Sequence, residues 1–132
     1  VSPTRFFILK TSIIAVIRMQ SFCGAFPVLP GKEQAGRDFA KACMDVRQKE
    51  CADYLKRVGI TKESWHLQKT LMGSFILVYY EAADVAKSFE ILAKSKEPFE
   101  VWFKEQVLQV TGVDLNKPME GPPPEQVFSM AT

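Results

Sequence analysis

The stretch Trp65-His66-Leu67-Gln68-Lys69-Thr70-Leu71-Met72-Gly73-Ser74-Phe75-Ile76-Leu77-Val78-Tyr79-Tyr80-Glu81-Ala82 decides the fold. It reads as a β-hairpin that turns near Met72-Gly73. In the first arm Trp65 and Leu67 alternate with His66, Gln68 and Thr70, the period of a strand with one polar side. The second arm, Phe75 to Tyr80, does not alternate: it is β-branched and aromatic throughout and offers no polar side to water. Such a strand must be covered on both sides. A chain of 132 residues has helices for one side of a sheet, so the other side calls for a second sheet, supplied most simply by a second copy of the chain.

Outward from the hairpin, the flanking segments supply the remaining layers. Gln20 to Val28, in which Phe22, Gly24 and Phe26 alternate with Ser21, Cys23 and Ala25, predicts a first strand, with Pro27 confining its end to a sheet edge. Leu29 to Lys32 forms a turn. A helix is then expected from about Glu33 to Val58, with Phe39, Cys43 and Val46 as one apolar stripe, Cys51, Leu55 and Val58 on a rotated continuation, and Gly59 as its C-cap. The change of face predicts a bend near Arg47 to Glu50, and Ile60 to Ser64 reads as a link into the hairpin. After the hairpin, Asp84 is a good N-cap for a helix carrying Val85, Phe89 and Leu92. Ser95 to Pro98 breaks it, and Phe99 to Thr111 continues as another helix with Phe99, Trp102, Phe103, Val107 and Val110 at helical spacing, closed by Gly112. Pro118, Gly121 and Pro122 to Pro124 mark an extended connector, and Gln126 to Met130 reads as a last short strand. The expected fold is α+β, a ferredoxin-like βαββαβ unit with a four-stranded antiparallel sheet and its second helix split in two.

Composition narrows the partners. Hydrophobic residues make up 47% of the chain and charged ones 24%, enough for one globular domain with its own core. Three of the 17 basic residues, Arg5, Lys10 and Arg18, precede Met19, so the rest nearly balances all 15 acidic residues. No basic stripe interleaved with aromatics is present, which argues against nucleic acid. No run of apolar residues is long enough to span a membrane. Cys23, Cys43 and Cys51 are odd in number and lack CxxC spacing, which points to reduced thiols and a cytoplasmic location. One histidine cannot build a His-based metal site, so no metal and no cofactor are expected. Residues 1–18 hold a short apolar run interrupted by Lys10, without a small-x-small cleavage site; they read as upstream sequence ahead of a natural start at Met19, and 19–132 as the single domain.

Phe26-Pro27-Val28-Leu29-Pro30-Gly31-Lys32, the Trp65-x-Leu67-Gln68 strand, Val78-Tyr79-Tyr80-Glu81-Ala82, Pro98-Phe99-x-x-Trp102-Phe103 and Gly121-Pro122-Pro123-Pro124-Glu125 resemble a group of small bacterial proteins without an assigned function. That group is placed in the dimeric α/β-barrel superfamily, alongside the antibiotic biosynthesis monooxygenases. The resemblance covers roughly Met19 to Met130. It implies a homodimeric α/β barrel and a wide choice of chemistries, from cofactor-free quinone-forming monooxygenases and muconolactone isomerase to haem degraders and stress proteins. The haem degraders hold iron with a helical histidine. His66 lies on a strand, so that role does not carry over.

Candidate site residues follow from the hairpin and the helix layer. His66 is the one side chain whose ordinary pKa suits proton transfer near neutrality, and Tyr80 is the tyrosine that can accompany it in catalysis. Tyr79 and Tyr80 point to opposite faces of the sheet. Gln68, Tyr79 and Arg47 are the polar candidates for ligand binding, and Trp102 and Phe103 the candidate aromatic wall. Each has a plainer reading: a lone strand histidine is more often structural, and aromatics at helical spacing more often core. Cys43 and Cys51 lack a neighbouring histidine or helix N-terminus that would activate a thiol. The absence of a demanding catalytic signature favours a dimer that binds a small apolar or aromatic molecule between sheet and helices. The alternative is a cofactor-independent monooxygenase or isomerase acting on an aromatic or polyketide-like substrate.

Overall fold

The computed structural model describes residues 19–132, and the reading of residues 1–18 as an extension lies outside the described residues. The element order is β1 (Gln20–Pro27), α1 (Glu33–Met44), α2 (Gln48–Val58), β2 (Ile60–Thr70), β3 (Gly73–Ala82), α3 (Val85–Lys94) and α4 (Pro98–Thr111). The three strands form one antiparallel sheet in the order β1-β3-β2, so the apolar arm of the hairpin is the central strand. Its turn is held by Thr70, whose Oγ1 donates to the Gly73 carbonyl at 2.7 Å and accepts from the Met72 N–H at 3.1 Å. Gly73 has φ +117°, a backbone angle a side chain would resist.

Register assigns the two faces. Phe22 and Glu63 flank Tyr80, Gly24 and Trp65 flank Val78, and Phe26 and Leu67 flank Ile76, so these residues share the face that meets the helices. Cys23 and Ser64 flank Tyr79, and Ala25 and His66 flank Leu77, on the opposite face. The inner face carries the core: Phe22, Phe26, Tyr80 and Ala82 are buried there against Phe39, Tyr54, Val58, Leu92, Phe99, Phe103 and Val107. Phe39 is the hub of the helix layer, with Trp65, Trp102 and Phe103 rings 5.0, 5.4 and 5.2 Å away. Gly36 lets α1 approach the sheet, because a Cβ there would stand 3.3 Å from Ile76 and 3.4 Å from Val110.

Four expectations are corrected. The long helix is two helices, broken at residues 45–47, and Val46 is left exposed by the break instead of joining the stripe of Phe39 and Cys43. The apolar face resumes on α2 at Tyr54 and Val58. Ile60 to Ser64 is the first half of β2 instead of a link, and a bulge lies between Ile60 and Lys62. Gln126 to Met130 forms no strand with the body: the described sheet has three strands, and Val127, Phe128 and Met130 are exposed. Three consecutive prolines, 122 to 124, precede this segment; they favour an extended backbone and cannot donate to a ladder.

The other terminators fall where the residues predict them. The Asp84 side chain accepts from the Lys87 N–H at 3.0 Å at the start of α3, Pro98 opens α4, and Gly59 and Gly112 end α2 and α4 in the left-handed conformation.

The helix layer also contains an ion pair with a buried carboxylate and a partly exposed guanidinium. Glu100, 1% exposed, accepts two bonds from the Arg57 guanidinium, at 3.1 and 2.6 Å, and one from the Ser95 hydroxyl at 2.9 Å. One turn on, buried Lys104 donates to the carbonyls of Ala93 and Ser95, both at 3.1 Å. Together they tie α2, the end of α3 and α4, and they satisfy carbonyls that the Ser95 to Glu97 break leaves free. Removing one member of such a pair strands a charge, whereas replacing both by apolar groups need not destabilise. Arg57→Met is therefore expected to lower the melting temperature by several degrees, and Arg57→Met with Glu100→Leu to recover much of the loss, as measured by circular dichroism.

Candidate functional site

Between the inner sheet face and the helices lies a chamber of about 60 Å³. Its lining is aromatic and aliphatic, including Phe22, Phe39, Trp65, Tyr80 and Phe103, and it contains one carboxylate, Glu63. Strand alternation explains how a carboxylate arrives there, and a bulge explains how Ile60 joins it. Ile60 and Glu63 are three apart and both face inward, which regular alternation forbids; the extra residue, Thr61, restores the phase. From Glu63 onward the alternation is regular, so Glu63, Trp65 and Leu67 share the apolar side of β2.

Glu63 has no cationic partner among the ion pairs of the described residues. Its Oε2 accepts from the Trp65 indole N–H at 2.5 Å. Loss of water outweighs that bond, and the carboxyl is pushed up to about 7. Loss of water also raises the Tyr54 and Tyr80 hydroxyls, so both stay protonated beside it. The Tyr80 hydroxyl donates a long bond, 3.4 Å, to the Val85 carbonyl. The chamber thus holds a carboxyl that exchanges its proton near neutrality, in a largely apolar lining.

The expected site residues are divided among three places. Tyr80 and Phe103 line the chamber. His66, Gln68 and Tyr79 belong to the outer face, where His66 and Gln68 are exposed and the Tyr79 hydroxyl donates to Glu81 Oε2 at 2.6 Å. That bond holds the Tyr79 hydroxyl above its ordinary pKa. Arg47 and Trp102 sit in the helix layer away from the chamber lining, with the guanidinium stacked 4.1 Å from the indole centroid and paired to Glu50 at 3.6 Å. His66 and Tyr80 are therefore on opposite faces of one sheet and cannot act on one molecule within a chain. Glu63, Trp65 and Tyr54 are the chamber residues that were not singled out. The signal for Glu63 was an acidic residue two positions before Trp65, on the apolar side of a strand once that strand is extended back to Ile60.

The thiols of Cys43 and Cys51 are neighbours across the α1–α2 turn. Cys43 lowers the Cys51 thiol by hydrogen bonding to it, while its own is raised by Cys51 and by burial. No group of three or more potential metal ligands occurs among the described residues, and no described helix is long and apolar enough to cross a membrane. Comparison with protein-family models, with curated proteins and with solved structures gives no match.

Because folded Glu63 keeps its proton up to about pH 7 and the unfolded carboxyl releases it near 4.5, its contribution to stability is fully present below about 4.5 and lost as the pH rises through 7. Linkage sets a ceiling of about 3 kcal/mol on that loss, reduced by whatever water reaches the group. Glu63→Gln is expected to flatten the melting temperature between pH 5 and about 8. The same variant should abolish the change in Trp65 fluorescence that accompanies the titration near pH 7.

Proposed function

We propose that the chain works as a homodimer of ferredoxin-like subunits, joined through their outer sheet faces as a dimeric α/β barrel. The chamber on the inner face of each sheet then binds a small, largely apolar molecule that offers one hydrogen-bond donor to Glu63. The observation that supports the binding reading is the carboxyl itself. An unpaired carboxyl in an aromatic lining costs folding free energy, and a hydrocarbon side chain of the same volume would serve a core better. A ligand donor supplies the missing partner. The size of the chamber bounds the ligand: 60 Å³ takes a group of a few heavy atoms, about the share of two waters, and an aromatic ring requires Trp65 or Phe103 to turn aside.

The dimer reading is supported by the bare side of β3. Phe75, Leu77 and Tyr79 are half-buried at best, with Cys23 and Ala25 exposed beside them, and no described helix covers that face. A second copy would bury it in an interface of standard size, roughly 1,200–2,000 Å². Leu77→Lys is expected to give a folded monomer by light scattering, because it places a charge at the middle of the apolar patch. A native chain that is already monomeric at micromolar concentration rules out this assembly.

A second reading, cofactor-independent oxygenation or isomerisation, is favoured by the position of Glu63 in its titration. A carboxyl near half-protonation in a water-poor chamber is suited to move a proton. The base is then Glu63 and not His66, which stands on the other face. Crystals and solutions exposed to a panel of small amines, alcohols and phenols, read by chamber occupancy and Trp65 fluorescence, test the binding reading; no occupant and no response from any of them would overturn it. For a ligand so found, Glu63→Gln should weaken binding by about 1–2 kcal/mol, the scale of one hydrogen bond. If turnover is also seen, the same variant should lower it by about 10²-fold or more, while His66→Ala leaves it unchanged.

A further inference from the structure

The open edge of β1 and the C-terminal arm form a feature that the chamber does not use. Among the described residues β1 pairs only with β3, and no described strand lies beside its outer row of backbone N–H and C=O groups. Edges of this kind are normally guarded by charge. β2, the other edge, carries Lys62, Glu63 and Lys69, but β1 has no charged residue among its eight. A broad groove of about 1280 Å³ runs along this unguarded edge, bounded by Ser21 and Ala25 of β1, Phe89 of α3 and, on the far side, Pro122, Gln126 and Ser129 of the arm. No backbone hydrogen bond joins the arm to β1. The arm carries Val127, Phe128 and Met130 at 87, 75 and 73% exposure, in a segment with the alternation and residue types of a strand.

We propose that the groove docks a strand from a second copy: Gln126 to Met130 of each chain adds to the β1 edge of the other, so the fourth strand of each sheet is supplied in exchange. This rests on the homodimer reading and gives that dimer a second contact. Three features favour a second copy as the occupant. The groove is continuous with the outer sheet face, since Tyr79 and Glu81 belong to both. The arm has the length to pair with most of β1, whereas its own chain holds it off through Pro118 and Pro122 to Pro124, which stay extended at about 3.1 Å per residue and cannot donate to a ladder. Exchange also covers, in one step, the exposed apolar residues of the arm and the uncharged edge.

Cysteine scanning tests the exchange directly, because Cys23 is exposed in the middle of β1. Cysteine is placed singly at Gln126, Val127, Phe128, Ser129 and Met130 in the otherwise native chain, with mild oxidation by glutathione disulfide. Mixed isotope-labelled and unlabelled chains then show by mass spectrometry which chains are joined. The expected result is a disulfide between the introduced thiol of one chain and Cys23 of the other at one or more positions, lost in Cys23→Ser. Phe128→Asp, made separately, is expected to raise the dimer dissociation constant tenfold or more. A link to Cys23 within one chain, or no link in a protein that scatters light as a dimer, overturns the exchange and leaves the sheet-face dimer standing. A protein that is monomeric throughout and unlinked overturns both.

Discussion

The constraint on which the structure depends is the central strand β3, apolar on both faces and paired on both edges. Pairing with β1 and β2 satisfies its backbone, so the remaining demand is to remove its side chains from water. The inner side chains, Ile76, Val78, Tyr80 and Ala82, meet that demand inside the chain, under four helices. Among the described residues Phe75, Leu77 and Tyr79 find no such cover, because both helix pairs return to the same side. The described helices cover one side of the sheet and leave the other side bare.

Two carboxylates in the interior illustrate how position separates support from function. Glu100 is almost wholly buried, yet a guanidinium and a hydroxyl satisfy it, and its role is to hold the helix ends together. Glu63 has a single indole N–H and no cation, and it faces space instead of protein. The first closes a network; the second leaves an acceptor facing a cavity. That difference, and not acidity as such, makes Glu63 the residue around which binding or proton transfer is to be sought.

Much of this architecture was legible along the chain. The hairpin and its turn, the strand character of β1, the Asp84 cap, the Pro98 start and the glycine stops at 59 and 112 depend on local chemistry: alternation, fixed φ, side-chain capping and left-handed backbone. Each is decided within a few residues and so can be read in order. The apolar character of both faces of Phe75 to Tyr80 is equally local, because it is read from the side chains of one strand.

Tertiary structure decided the rest. The candidate residues could be placed on strands but not brought together, because which side of the sheet the helices cover depends on packing among α1, α2, α3 and α4; that choice put His66 outside and Tyr80 inside. Alternation counted back from Trp65 puts Glu63 on the inner face once β2 is known to extend that far, and one extra residue at Thr61 then returns Ile60 to the same face, a phase change that no local pattern shows. The Arg57–Glu100 pair joins residues 43 apart, and no local pattern encodes so distant a partner. The arm has the residues of a strand, but a strand is defined by a neighbour as well as by its own sequence, and within one chain the arm makes no backbone hydrogen bond to β1.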